Sequence, residues 1–129
     1  MISIARVKAL EAAGKPHPEA QKVRALIDTG ASITGVDPTV LKALGISQTG
    51  EAEIHTPSTG GTPVKVPTYD VTIGIYEGRP GQGHFISDTI QVTETDLSRH
   101  GFQVLIGTDV LAKCLFHYNG AEGFFTLCY

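Results

Sequence analysis

The sequence predicts an all-β domain with one or two short helices. Fifteen glycines and seven prolines are spread through 129 residues, so turns are frequent and the segments between them are short. The apolar runs have strand length, and several alternate apolar with polar residues. One clear helix signal interrupts them, Asp37-Pro38 followed by Val40, Leu41 and Leu44 and then Gly45.

Size and charge narrow the function classes. A chain of 129 residues fits a single domain spanning residues 1–129. A domain of this size buries roughly two-thirds of its unfolded surface, enough for one sizeable core. Apolar residues make up 41% and charged residues 18%, which excludes a disordered chain. The net charge of -3 is dispersed and no basic patch stands out, so no nucleic-acid partner is expected. No apolar run approaches membrane-spanning length, and Arg6 and Lys8 interrupt the first ten residues, unlike a signal peptide. The expectation is a cytoplasmic protein without a membrane partner. Cys114 and Cys128 form no disulfide framework, and His17, His55, His84, His100 and His117 are scattered, so no metal or other cofactor is expected.

Taken in order, residues 2–7 alternate as a half-buried strand would, and Gly14 to Pro18 is turn material. Val23-Arg24-Ala25-Leu26-Ile27 reads as a buried strand, within a segment 22–28 that would form a hairpin with residues 2–7. The capped helix begins at Pro38. Residues 51–76 read as a long hairpin with a small, glycine-rich tip at 57–62. Its returning strand changes phase near Pro67, which predicts a bulge or bend there. Gly78 to Gly83 is a turn, residues 84–93 a strand, 94–101 a polar loop, and Phe102 to Ile106 a buried strand. A short helix at about 108–113 follows. The last segment folds back around residues 119–123, setting Cys114 opposite Cys128, where an intracellular setting favours two reduced thiols over a disulfide. Phe116, Tyr118, Phe124 and Phe125 read as core or interface packing.

The chemistry concentrates in Asp28-Thr29-Gly30-Ala31-Ser32. An acidic side chain stands at the end of an apolar strand, on a tight turn, and this motif occurs once. An echo of it lies near the C-terminus: Ala25-Leu26-Ile27-Asp28-Thr29-Gly30 is matched by Val104-Leu105-Ile106-Gly107-Thr108-Asp109. If one half of the fold repeats the other, the position equivalent to Asp28 is Gly107, which supplies no carboxylate. Asp109 would cap the helix that follows or brace the turn.

In this order the pieces resemble the retropepsins, the single-domain aspartic proteases of retroviruses and their cellular and bacterial relatives. The resemblance runs from about residue 22 to residue 116. It implies a retropepsin-like acid-protease half-barrel with a flap hairpin. It further implies that Asp28 is the catalytic aspartate, that Thr29 bonds the partner's backbone across a dimer axis, and that Gly30 approaches the substrate. Ala31 and Ser32 complete the supporting turn, and Ser58, Thr59, Gly60 and Gly61 fall in the flap. Retroviral members often pair an acid at the Ser32 position with an arginine at the Thr108 position. Both are changed here, as in a cellular or bacterial branch, and the flap lacks an isoleucine-rich tip.

Such a protease hydrolyses extended peptides with water as the nucleophile, one carboxylate accepting a proton while a second, protonated carboxyl donates one. With a single Asp28 per chain, a homodimer is the simplest arrangement that completes the pair. Ala31 offers no hydroxyl to the carboxylate, so a mildly acidic, bell-shaped pH profile is expected. The alternative from another class is a catalytically silent dimer of the same fold that binds a peptide or protein partner.

Overall fold

The computed structural model describes residues 1–55, 62–76 and 84–129. Among the described residues, ten strands and three short helices follow one another as α1 (Ile4–Ala12), β1 (Ala25–Ile27), β2 (Gly35–Val36), α2 (Pro38–Ala43), β3 (Gly50–Ile54), β4 (Val64–Val71), β5 (Gly74–Tyr76), β6 (His84–Ile86), β7 (Ile90–Glu94), β8 (Val104–Ile106), α3 (Thr108–Leu111), β9 (Leu115–Asn119) and β10 (Phe124–Cys128). Six strands form the main sheet in the order β1-β8-β2-β7-β4-β3, and β5–β6 and β9–β10 form two small antiparallel sheets. Val36, Leu41, Val71, Val92, Val104, Ile106, Val110 and Leu111 make one core beneath the sheet. This is an all-β fold of the retropepsin-like type, with short helices at its margins.

The arrangement of β1, β8 and β2 positions the site. β1 runs parallel to β8, and β2 runs antiparallel to β8 on its other side. The chain therefore crosses over the end of β8 between residues 28 and 34. The sequence echo is a physical pairing: Ala25 lies opposite Val104, Leu26 opposite Leu105 and Ile27 opposite Ile106.

Several expectations are corrected. Residues 4–12 form a helix instead of a strand. The alternation seen up to Val7 gives way to a spacing of three, and Ile4, Val7 and Leu10 share the half-buried face. Ser3 Oγ caps its start by accepting from the Arg6 N–H. Gly14, at φ 63, ends it, with its N–H donating to Glu11 O and the Lys15 N–H to Leu10 O. The hairpin between residues 2–7 and 22–28 is therefore absent; only Ile2 joins the main sheet, bridging to Val71. β1 is shorter than expected and is not buried: Ala25 and Leu26 are exposed, because β1 is an edge strand of the sheet.

The ladder through Pro67 carries no bulge. Its register with β3 runs unbroken from Val64 to Thr68, and β4 then pairs with β7 from Thr68 to Val71, so the change of buried face accompanies a change of partner. The strand expected at 84–93 is two strands. Between them Ser87 is buried, its N–H donating to Ile73 O while its Oγ accepts from the Ile73 N–H and donates to Asp88 O. In the final hairpin Cys128 lies opposite Leu115, one residue out of the expected register, because only Gly120 to Gly123 separate the paired ends Asn119 and Phe124. Cys114 and Cys128 are free thiols. The helix at Pro38 matches expectation, with Asp37 accepting from the Thr39 N–H. The turn expected at Gly78 to Gly83 and most of the tip at 57–62 lie outside the described residues. Among the described residues no helix is long and apolar enough to cross a membrane.

Candidate active site

Asp28 follows β1 directly. Its N–H donates to Ile106 O at 2.9 Å, extending the parallel pairing by one residue. Its Oδ1 accepts from the Gly30 N–H at 2.9 Å, and its carbonyl accepts from the Ala31 N–H at 3.2 Å. This is a side-chain-closed turn, the local geometry Asp favours. It aims one carboxylate oxygen along the turn and leaves Oδ2 without a partner among the described residues. A Cβ at position 30 would lie 3.2 Å from Asp28 Oδ1, so glycine there gives the carboxylate room. Asp28 is half-buried, Thr29, Gly30 and Ser32 are exposed, and Ala31 is half-buried.

The turn after β8 grips the far side of this loop. Ala31 O accepts from the Thr108 N–H at 2.8 Å and from Thr108 Oγ1 at 3.2 Å. Thr34 is fully buried; its N–H donates to Asp109 Oδ2 at 3.0 Å and its Oγ1 to Asp109 Oδ1 at 2.7 Å. Thr34 Oγ1 in turn accepts from the Gly107 N–H at 3.1 Å. Gly107, the echo of Asp28, is held at closest approach: a Cβ there would meet Ile33 C at 2.9 Å and Ala31 O at 3.0 Å. The position mirroring Asp28 thus has space for no side chain at all.

Sequence reasoning found Asp28 to Ser32 and the echo, and it left Asp109 between capping and bracing. The structure shows the bracing role; the helix N-cap is Gly107, without a side-chain cap bond, and Asp109 lies in the first turn, its Oδ1 also accepting from the Val110 N–H at 2.9 Å. Thr34 was missed. A lone threonine between Ile33 and Gly35 carries no signal until the loop is seen to lie over Asp109. The candidate flap residues Ser58, Thr59, Gly60 and Gly61 lie outside the described residues, although the strands leading to them, β3 and β4, are paired up to Ile54 and Val64.

Around β1 the surface is apolar. Leu26 is 46% exposed, Tyr118 67% and Phe125 57%. A groove of about 390 Å³ is lined by Ala25, Leu26, Ile27, Thr29, Phe116, Tyr118 and Phe125. A second, of about 420 Å³, lies beside Ile27, Ile75, Ile106 and Leu127. The carboxylate turn therefore borders an open, greasy edge of the sheet.

The profile of a family described as aspartyl protease matches residues 14–110. No curated protein and no solved structure matches the chain.

Proposed function

The chain belongs to the aspartyl protease family, and from that premise we propose that it is an aspartic endopeptidase whose active form is a homodimer, with Asp28 contributed once by each protomer. The observation that carries this reading is the asymmetry of the two echoed turns. One bears a carboxylate; the other is closed by a glycine that backbone contacts hold at Gly107. A second carboxyl cannot come from the equivalent position of the same chain, and Asp109, two residues on, has both its oxygens bonded to Thr34, so a second copy is the simplest source.

The chemistry then follows from two carboxyls in one place. Two such groups a few ångströms apart do not both ionise cheaply, so they share one proton and titrate as a pair. The ionised member takes a proton from water as the water oxygen bonds to the peptide carbonyl carbon, and the protonated member gives its proton to the carbonyl oxygen. The resulting diol collapses when a proton reaches the amide nitrogen and the carbon–nitrogen bond breaks. The extended substrate lies in a groove along the interface, held by strand-like hydrogen bonds.

The apolar edge supports the same reading. β1 carries exposed Ala25 and Leu26 on an unpaired sheet edge, a surface monomeric proteins usually blunt or cover. Thr29 lines the adjoining groove, and in this reading it bonds the second copy as Asp28 meets its twin. We take the setting to be cytoplasmic, where Cys114 and Cys128 stay reduced.

The test is Asp28→Asn, assayed on a diverse peptide library. Cleavage falls by at least about 10²–10⁴-fold, the contribution typical of acid–base catalysis, while the dimer seen by sedimentation persists. A wild-type dimer that binds peptides but cleaves none from acid to neutral pH would instead make this a binding module.

A further inference from the structure

We infer that Asp109 is a positioning residue for the reaction proposed above, acting through Thr34 to fix the loop that carries Asp28. The inference rests on the protease reading for its catalytic consequence, and on hydrogen bonds alone for its structural one.

The loop from residue 28 to residue 34 is tied down at three points. Its start is held by the Asp28 N–H on Ile106 O at 2.9 Å. Its middle is held by Ala31 O on the Thr108 N–H and hydroxyl. Its end is held by Asp109, whose two carboxylate oxygens each accept one hydrogen bond from Thr34. The first tie is backbone to backbone and the second adds the Thr108 hydroxyl to a backbone N–H, whereas the third depends on the Asp109 side chain alone. It is also the most enclosed, since Thr34 is 0% exposed. Thr34 O accepts in addition from the Thr93 N–H at 3.0 Å, so the loop end is anchored to β7 as well.

The donor and acceptor count makes a carboxylate necessary at position 109. Thr34 offers it two donors, N–H and O–H, and its hydroxyl oxygen is already taken by the Gly107 N–H. The Val110 N–H adds a third donor. Three donors converge on two oxygens, which a carboxylate accepts without conflict. An asparagine would turn an NH₂ group toward one of them and leave buried donors facing each other. A purely local role in the first turn of the helix would need only the Val110 bond. The two bonds to Thr34 reach across the chain to the loop of Asp28, and a group that must meet its twin tolerates displacements of only about half an ångström.

Two measurements test this on Asp109→Asn, Thr34→Val and Thr34→Ser, the last keeping both donors. The first is amide hydrogen exchange on the whole wild-type and variant proteins. Exchange at Asp28 and Ala31 should accelerate at least about tenfold in Asp109→Asn and Thr34→Val, while the β4–β7 ladder stays within about twofold and Thr34→Ser resembles wild type. Unchanged exchange at Asp28, or equal acceleration everywhere, overturns the inference. The second is steady-state cleavage at a temperature where each variant is folded. A loop displaced by up to an ångström should lower kcat about 10- to 100-fold with little change in KM, and Thr34→Ser should restore it. A kcat within about threefold of wild type in Asp109→Asn overturns the catalytic consequence. If the wild type cleaves nothing, the protease reading fails, and the exchange measurement still decides whether Asp109 holds the loop.

Discussion

Replacing Gly107 by alanine tests why the echoed turn carries no side chain. The added Cβ would lie 2.9 Å from Ile33 C and 3.0 Å from Ala31 O, both backbone atoms, and 3.0 Å from Asp109 Oδ1. Ordinary contact begins near 3.4 Å, so the crossing loop must retreat by about half an ångström. Gly107 has φ -87, so backbone strain does not enter and the cost is one of space. Overpacking of this kind costs about 1–3 kcal/mol. The retreat also lengthens the 2.8 Å bond from the Thr108 N–H to Ala31 O. Gly101→Ala is the internal control, because nothing lies within 4 Å of its Cβ and its φ is not left-handed. There alanine should be neutral or stabilise by up to about 1 kcal/mol, through the unfolded chain. Urea unfolding followed by circular dichroism, at one fixed protein concentration, reads both. With a slope of about 1–3 kcal/mol per molar, Gly107→Ala should lower the midpoint by roughly 1 M. Equal midpoints for Gly107→Ala and wild type, or an equal loss in Gly101→Ala, would refute the close-approach argument.

Two further variants probe buried polar groups. Asp37 is 3% exposed and accepts from the Thr39 N–H and hydroxyl and from the Leu97 N–H at 2.9 Å. Asp37→Ala removes a helix cap and orphans the Leu97 amide, a loss of about 2–4 kcal/mol in urea unfolding. The Thr39 hydroxyl above all, then the Thr39 and Leu97 N–H groups, hold the Asp37 carboxyl below its ordinary value against the opposing effect of burial. A lowered folded-state value means that this stabilisation is complete above the unfolded carboxyl range, near pH 4, and is lost as pH falls through the still lower folded value. Acid titration of wild type and Asp37→Ala should therefore converge in stability below that range. Thr68 is fully buried, and its Oγ1 has no hydrogen-bond partner among the described residues. Thr68→Val should raise the unfolding midpoint, by up to about 1 kcal/mol in stability; a lower midpoint would show that the hydroxyl is partnered in solution.

Much of the site was legible because its signals are local. A carboxylate at a strand end, a glycine turn and a capped helix each lie within a few residues, and each formed as read. The echo was legible as a resemblance, but its meaning as a pairing of Ile27 with Ile106 was not, since nothing in either segment names its partner. The same blindness made β1 look buried: an apolar run has the same composition whether a neighbour covers it or not. Thr34 and Asp109 meet across 75 residues, and Asp37 reaches Leu97 across 60, distances at which local pattern says nothing. The strand expected at residues 2–7 gives way to a helix from Ile4, because six residues are too few to separate alternation from the spacing of three that Ile4, Val7 and Leu10 keep.

The crossing of residues 28–34 over β8 also sets the order of events during synthesis. β1 finds no parallel neighbour until the segment containing Gln103, which bonds Arg24 from 79 positions away, has been made. Loop closure over such a span is slow relative to local hairpins such as β3–β4. A nascent chain on the ribosome therefore carries Asp28 on an unformed turn until residues 103–106 have been made. Formation of the turn is delayed by connectivity alone, and a polypeptide cut short before Val104 would retain the acid without the scaffold that aims it.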